Sequence, residues 1–417
     1  MYTGKNCLAD YGTRRENTKR KLRNNLIDRD TRVEVKTPGR VPVLLLLLLV
    51  AVVLFMIFFV VRQKTYTADT AAVVWEKQIG EESPALSTRR YARFLDGVIM
   101  YTRDGAEYTD STGRSVWQKS YQMGNPICNV NGGYALIADQ GGTTAGIYSD
   151  SQNIGTVTTV LPITRAVTSS IGVTYMIQND DTADYLTAYR KDGSDIDLTV
   201  KSVVGGDGYP FDIAVSPGGS QLVTSYIGIE GGEIKESVVF RNFGEVGQNA
   251  DARRVVGGFI DEFDGHVVTK VGFADEEHSH AFYDGGIVFF STRVLNSPEI
   301  LKNEAIGEQI LSVADSSAGC AVITEPGEGE TGRQLRIYDN SGKQTGKTEL
   351  DFTATGIEMT EKSVILYNSD RICAYTLKGR RIADLTWDGK ITAVCGTKKL
   401  REFIVAESGR YLYVKAK

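Results

Sequence analysis

A recurring aromatic residue is the sequence feature that most constrains how this chain can fold. It returns at steps of 37 to 51 residues, and in five of eight cases a glycine follows four or five residues later. Short runs rich in Val, Ile, Thr and Tyr fill the intervals, and clusters of Gly, Asp, Asn and Ser separate these runs. The aromatic positions are Tyr108, Tyr148, Tyr189, Phe240, Phe289, Tyr338, Tyr375 and Tyr413. The pattern predicts repeated units built from strands.

A period near 40–50 residues that contains only strands is typical of a four-stranded β-propeller blade. In the unit around Tyr338 we predict strands at 310–314, 320–324, 334–339 and 345–350. The aromatic residue then lies on the third strand, where we expect it to pack between neighbouring blades. The sequence therefore predicts an all-β propeller of eight blades. Seven blades is the alternative, because the units at 205–257 and 258–307 are long and irregular.

The last unit is incomplete, since only four residues follow Tyr413. The segment Ala72–Ile79, with the sequence AVVWEKQI, can supply the missing outer strand from the other end of the repeat region. Such a pairing would close the ring and remove an open sheet edge that could otherwise pair with another chain. We therefore predict a propeller over residues 72–417, closed by the strand 72–79.

The run Val43–Val61 holds nineteen residues without charge, amide or hydroxyl. A helix of that length crosses a hydrocarbon core of roughly 30 Å. The apolar run therefore predicts a transmembrane helix at 41–62. This helix would lie between a basic, disordered tail (1–40) and a linker (63–71). The tail carries 11 Lys+Arg against 5 Asp+Glu, whereas residues 62–417 carry 36 against 47. The positive-inside rule then places the N-terminus in the cytoplasm and the propeller outside the cell membrane.

The turn from Asp110 to Trp117, with the sequence DSTGRSVW, resembles the hairpin of quinoprotein-type (PQQ-like) propeller repeats, and residues 376–387 are a looser match. The layout of basic tail, anchor and outer propeller is similar to an uncharacterised family of membrane-anchored propellers with PQQ-like or WD40-like repeats from Gram-positive, clostridia-type bacteria. This resemblance implies a location in the cell envelope and brings no activity with it.

Quinoprotein enzymes need a Ca²⁺ site made of carboxylate and amide oxygens, a general-base Asp and aromatic walls around the cofactor. The chain has three tryptophans, Trp75, Trp117 and Trp387, and two of them occupy repeat turns. We therefore predict no catalytic residues and no cofactor.

The segment from Asp275 to His280, DEEHSH, is the one cluster with metal-ligand residue types. On a strand, His278 and His280 would point to the same face, and Asp275 or Glu277 could supply a third ligand. The alternative is a solvated loop whose charges face water, and this interpretation is preferred. No metal site is predicted, and Asp275, His278 and His280 stand as its candidates.

Four cysteines follow the apolar run: Cys128, Cys320, Cys373 and Cys395. Each lies in an apolar strand segment of a different unit, and a disulfide needs Cα atoms within about 7 Å. We expect buried free thiols, with a Cys373–Cys395 bridge between adjacent blades as the alternative.

A rigid ring with a wide surface of loops suits the binding of another molecule. We expect a non-catalytic scaffold that binds a protein or a cell-envelope ligand, and no nucleic acid. The alternative is a transmembrane sensor that signals through the basic tail, and a quinoprotein-like enzyme is less favoured.

Overall fold

The computed structural model describes residues 40–80, 89–249 and 253–417. The chain divides into two compact units, Met1–Tyr66 and Thr67–Lys417. The predicted cytoplasmic tail lies outside the described residues, except for Arg40, which begins the first helix.

In the first unit, helix α1 (Arg40–Thr65) contains the apolar run and ends three residues beyond the predicted span. Its described side chains, Leu45 through Phe58, are exposed. Within the part of the chain that the structure describes, no helix combines the length and apolarity needed to cross a membrane.

The second unit contains thirty-two strands, arranged in eight four-stranded sheets within the described residues. We call these sheets blades 1–8 in chain order. Blade 1 is β2 (Arg90–Phe94), β3 (Gly97–Tyr101), β4 (Gly105–Thr109) and β5 (Ser115–Ser120); blade 2 is β6 (Pro126–Asn131), β7 (Tyr134–Asp139), β8 (Thr144–Tyr148) and β9 (Asn153–Thr158); blade 3 is β10 (Ile163–Thr168), β11 (Thr174–Asn179), β12 (Ala183–Tyr189) and β13 (Asp195–Val203); blade 4 is β14 (Tyr209–Val215), β15 (Gln221–Glu230), β16 (Glu233–Asn242) and β17 (Val255–Phe259).

The remaining blades follow the same order. Blade 5 is β18 (Val268–Phe273), β19 (His278–Tyr283), β20 (Gly286–Ser291) and β21 (Glu299–Ala305); blade 6 is β22 (Ile310–Ser316), β23 (Gly319–Thr324), β24 (Gln334–Tyr338) and β25 (Gln344–Glu349); blade 7 is β26 (Gly356–Met359), β27 (Ser363–Tyr367), β28 (Arg371–Thr376) and β29 (Arg381–Thr386); blade 8 is β30 (Ala393–Gly396), β31 (Glu402–Ala406), β32 (Arg410–Ala416) and β1 (Ala71–Gln78). Short helices α2 (Val204–Asp207) and α3 (Glu245–Gln248) and a 3₁₀ turn (Asp261–Phe263) lie between strands of blades 3–5.

Each blade is an antiparallel sheet, and in blades 1–7 the strands pair in sequence order, as predicted for a propeller. First strands of neighbouring blades contact one another, as β2 does with both β6 and β30. The eight first strands therefore surround a central axis, and the prediction of eight blades is confirmed.

Strand β1 closes the ring, as predicted. It pairs antiparallel with β32, and Trp75 lies opposite Tyr413 while Lys77 lies opposite Tyr411. The observed bounds are one residue earlier than the predicted 72–79 at each end. Upstream of the strand, the backbone N–H of Ala68 donates to the Ile382 carbonyl at 3.0 Å, so this segment also joins blade 7.

The recurring aromatic residues all lie on third strands, and their packing role is confirmed. The ring of Tyr148 in blade 2 stacks on Trp117 of blade 1, with centroids 4.7 Å apart. Phe289 of blade 5 lies 6.1 Å from Tyr338 of blade 6. Tyr338 and Tyr375 are fully buried. These rings fill the space that the twist of the sheets leaves between adjacent blades.

The turn glycines follow the predicted pattern at four of the five positions. Gly113, Gly193, Gly342 and Gly379 have φ between +78° and +86°, the left-handed region that glycine enters without a steric penalty. Gly244 differs, because its φ is −81° and it precedes α3 instead of turning directly into a fourth strand. The recurring glycine therefore does not form the same turn at this position.

The four described cysteines are free, so the alternative Cys373–Cys395 bridge is not formed. Cys320, Cys373 and Cys395 are buried, and Cys128 is partly buried. Burial raises the pKa of Cys373 to about 12, and that thiol stays protonated at neutral pH.

Candidate functional site

A cavity of about 350 Å³ runs along the axis of the ring, lined by the first strands of blades 2–6. Polar and charged side chains enter it from strands that are otherwise apolar. They are Asn129, Arg165, Asp212, Lys270 and Asp315. Because first strands of all blades face the same axis, single polar residues far apart in sequence meet here.

Most of these polar groups bind the next blade. Arg165 Nε donates to the Phe211 carbonyl at 2.7 Å, and the backbone N–H of Val271 donates to Asp212 Oδ2 at 2.9 Å. Lys270 forms an ion pair with Asp315. We name the inter-blade set the polar belt: Arg90, Asn129, Arg165, Asp212, Lys270, Ser316 and Glu358. Each side chain of the belt links its blade to the following one.

The charged state of the belt follows from these contacts. Burial acts to lower the pKa of Lys270, but the Asp315 carboxylate beside it raises that pKa overall. Burial acts to raise the pKa of Asp315, but Lys270 and His280 hold it well below its usual range. Lys270 therefore remains an ammonium and Asp315 a carboxylate near neutral pH, which makes this pair a structural ion pair rather than a source or acceptor of protons.

The axial cavity opens into a wider mouth of about 610 Å³ at the ends of the first strands. Its charged lining comes from four blades: Arg93, Asp315, Glu358, Glu361 and Lys398. Apolar side chains, including Leu95 and Met359, lie among them. We call this region the channel mouth. It offers both signs of charge together with apolar surface.

Within the channel mouth, Arg93 Nη2 lies 2.6 Å from Glu361 Oε2, which joins blade 1 to blade 7. The backbone N–H of Gly396 donates to Glu358 Oε2 at 3.0 Å. Burial raises the pKa of Glu358 to about 7, despite that hydrogen bond and nearby Arg93. The negative charge of the mouth therefore changes across neutral pH.

The metal candidates contact different groups. His278 Nδ1 lies 2.9 Å from Asp275 Oδ1, at the start of β19. His280 is buried, and its Nε2 lies 3.3 Å from Asp315 Oδ2 of blade 6. Glu277 pairs with Arg293 instead. Among the described residues, no group of three or more His, Cys, Asp or Glu side chains is arranged to hold a metal ion.

The quinoprotein-like turn has a structural role. Asp110 Oδ1 accepts hydrogen bonds from the backbone N–H groups of Thr112 and Arg114, which fixes the turn. Trp117 Nε1 donates to the Ser149 carbonyl of blade 2 at 3.1 Å, and Trp75 Nε1 donates to the Ser111 carbonyl of blade 1 at 2.8 Å. The two tryptophans thus make the same contact at successive blade junctions.

Sequence reasoning did not identify the polar belt or the channel mouth. The available signal was one charged residue inside an apolar first strand, as in the runs around Arg165, Asp212 and Lys270. A single charge in a strand normally indicates a solvated edge, so only the position of that strand at the axis shows its role.

The buried Glu236 leads to a pH prediction. Burial raises its pKa to about 8, and the Val268 backbone only partly offsets this. The folded chain therefore binds an extra proton between about pH 4.5 and 8, and stability falls as pH rises through this window. At roughly 1.4 kcal/mol per pKa unit, Glu236→Gln should be more stable than the wild type by a few kcal/mol at pH 8.

Urea unfolding at pH 4 and pH 8 measures this difference. Glu233→Gln is the matched control, because Glu233 is exposed on the same strand and should behave as wild type at both pH values. Equal pH dependence of the wild type and Glu236→Gln would contradict the burial argument.

Several solved structures are similar in fold. Saccharomyces cerevisiae Sqt1 shares 13% identity over 84% of this chain and 100% of that chain, with a TM-score of 0.52. Chaetomium thermophilum Sqt1, bound to the N-terminus of ribosomal protein L10, shares 12% identity over 79% of this chain and 93% of that chain, with a TM-score of 0.50. BamB from Moraxella catarrhalis shares 11% identity over 84% of this chain and 98% of that chain, with a TM-score of 0.49. Identities this low concern the fold alone.

No curated protein sequence matches this chain. A family model does match it, over residues 62–415, and that span includes every blade of the ring. The chain therefore belongs to the DUF5711 family, a family of unknown function.

Proposed function

We propose that this protein is a non-catalytic binding propeller that holds a segment of a partner protein at the channel mouth. The observation that carries the proposal is the composition of this cavity. Arg93, Lys398, Glu358 and Glu361 supply charges of both signs around a concave surface with apolar residues. An extended peptide carries backbone donors and acceptors with mixed side chains, and such a surface can bind it.

The state of the polar belt supports a binding role over a catalytic one. Arg165, Asp212 and Lys270 each bind a group of the following blade, and their charges stabilise these contacts between blades. Burial raises the pKa of Cys128, at the axis, to about 12, which makes it a poor nucleophile at neutral pH. A general acid or base needs a pKa near the working pH. Glu358 meets this condition, and the Gly396 backbone N–H already donates a hydrogen bond to its Oε2 at 3.0 Å.

A propeller of similar fold offers a parallel for the type of partner. Chaetomium thermophilum Sqt1 is bound to the N-terminus of a ribosomal protein. We propose the same class of ligand here, a protein segment, without extending the identity of that partner to this chain.

Site-specific photocrosslinking tests the proposal. A benzophenone amino acid at Ser317, which is exposed at the channel mouth, should crosslink to one discrete protein in cells. The same probe at Asp181, exposed in the turn between β11 and β12, is the control and should not. Equal crosslinking at both positions, or none at Ser317, would contradict binding at the mouth.

A charge exchange sharpens this test. Arg93→Glu with Glu361→Arg keeps the ion pair but reverses the position of its charges. We expect the double variant to melt like the wild type and to lose the crosslink from Ser317. Retained crosslinking would mean that the mouth charges do not recognise the partner.

We further propose that the propeller is displayed outside the cell membrane by an N-terminal anchor. The apolar run Val43–Val61 and the excess of Lys and Arg before it support this topology. A phosphatase reporter that is active only outside the cytoplasm should be active when fused after Lys417 and silent when fused at Lys36. The opposite pattern would overturn the proposed localisation and leave the channel-mouth proposal to be judged separately.

A further inference from the structure

A basic surface lies on blades 7 and 8, at turns on the same side of the ring as the channel mouth. We define the basic patch as Lys362, Lys378, Arg380, Lys398, Lys399 and Leu400, all of which are exposed. Lys362 Nζ donates to the Lys398 carbonyl at 2.8 Å, which joins the first turns of the two blades. Arg401 Nε donates to the Ile382 carbonyl at 3.0 Å, just after the turn that carries Lys378 and Arg380. Three turns from two blades thus form one surface.

The charge of this patch contrasts with the rest of the ring. Residues 351–417 carry 12 Lys+Arg against 8 Asp+Glu, whereas residues 62–350 carry 24 against 39. The acidic neighbour Glu361 is paired with Arg93, and Glu402 is buried against Lys399 and Tyr413. Lys378 and Arg380 form no ion pair with a described carboxylate, whereas Lys398 helps to lower the pKa of Glu361. Much of the patch's positive charge therefore faces outward without a counter-charge.

An apolar side chain lies at the tip of this surface. Leu400 is 47% exposed between Lys399 and Arg401. Its turn is well fixed, because Thr397 Oγ1 donates to the Glu402 carbonyl at 3.0 Å and Arg401 adopts a left-handed φ of +64°. The fold thus presents a leucine outward among cations instead of turning it into the core.

We propose that the basic patch docks on an anionic phospholipid surface, with Leu400 entering the boundary between headgroups and acyl chains. Clustered Lys and Arg are attracted to anionic headgroups, and an exposed apolar side chain among them gains further stabilisation by leaving water. A soluble polyanion would satisfy the cations but would give Leu400 no apolar surroundings. This inference concerns a surface separate from the partner-binding cavity, apart from Lys398 at its border.

Vesicle binding by residues 67–417, which form the closed ring and contain all eight buried clusters, tests the proposal. We expect sedimentation with phosphatidylcholine vesicles that contain about one third phosphatidylglycerol, and not with phosphatidylcholine alone. Lys378→Glu with Arg380→Glu should weaken the binding by about ten-fold or more. These two residues do not line the channel mouth, so a loss here leaves crosslinking at Ser317 unchanged.

The matched control is Lys119→Glu with Lys390→Glu, an equal charge change at exposed positions outside the patch. It should bind the anionic vesicles like the wild type, and equal weakening by both pairs would overturn the proposal by showing a non-specific charge effect. Thermal unfolding of each variant confirms that the ring is intact before binding is measured.

A fluorescent label at position 400 reports insertion. Leu400→Cys labelled with an environment-sensitive nitrobenzoxadiazole group should become brighter on the anionic vesicles, and Leu400→Ser should bind them more weakly. Competition by heparin without any brightening of the label would show a soluble polyanion as the ligand and would overturn the lipid proposal.

Discussion

Removal of β1 (Ala71–Gln78) is expected to destabilise the whole ring, even though this strand lies more than 330 residues before its partner. Without it, the outer edge of β32 loses its backbone partner over its full length. Tyr411 and Tyr413 also lose their contacts with the Trp75 ring, whose centroid lies 5.9 Å from that of Tyr411 and 5.8 Å from that of Tyr413. A chain that begins at Gly80 should therefore aggregate or melt much earlier than residues 67–417.

The single substitution Trp75→Ala should be a partial version of this deletion. A fully buried aromatic side chain truncated to alanine costs about 3–5 kcal/mol, against a typical total stability of roughly 5–15 kcal/mol. Because Trp75 is partly buried, its truncation should cost less than this range. Val74→Ala is the control on the same strand, since Val74 is 58% exposed and should change stability little. Calorimetry of these four chains, namely residues 67–417, the chain from Gly80, Trp75→Ala and Val74→Ala, measures the order of their melting temperatures. If the chain from Gly80 were as stable as residues 67–417, β1 would be a linker and the closure of the ring would not depend on it.

Truncation of Tyr338 is expected to have the second-largest effect. The side chain is fully buried and packs with Phe289 and Phe282 of blade 5 and with Val322 of its own blade. Tyr338→Ala would leave a cavity at the junction of two blades, which the surrounding sheets cannot collapse to fill. A cost of about 3–5 kcal/mol is expected from core truncations of aromatic residues.

Tyr338→Phe separates packing from polarity, because it keeps the ring and removes the hydroxyl. We expect it to lose far less stability than Tyr338→Ala in denaturant unfolding. Similar losses in both variants would mean that the hydroxyl, rather than the ring between the blades, stabilises this junction.

The sequence by itself determined the architecture of this protein. The recurring aromatic residues favoured eight units over seven, and the short segment after Tyr413 indicated that the last unit takes a strand from elsewhere in the chain. These features are local, because the two-residue alternation of a strand and the steric freedom of Gly342 act within a few residues. The strands of the unit around Tyr338 were accordingly predicted to within two residues at every bound.

The tertiary structure alone decided the chemistry at the axis. The links of the polar belt join residues 36 to 59 positions apart, such as Arg90 with Pro126 and Asp212 with Val271. Nothing in the local sequence around Asp212 indicates which group it meets, because its partner is set by blade order and by the stagger of first strands. The same holds for His280, which was a candidate beside His278 in sequence but faces Asp315 of the next blade. A ring places the first strand of every repeat at one axis, so the polar residues that meet there are neighbours only after the ring has closed.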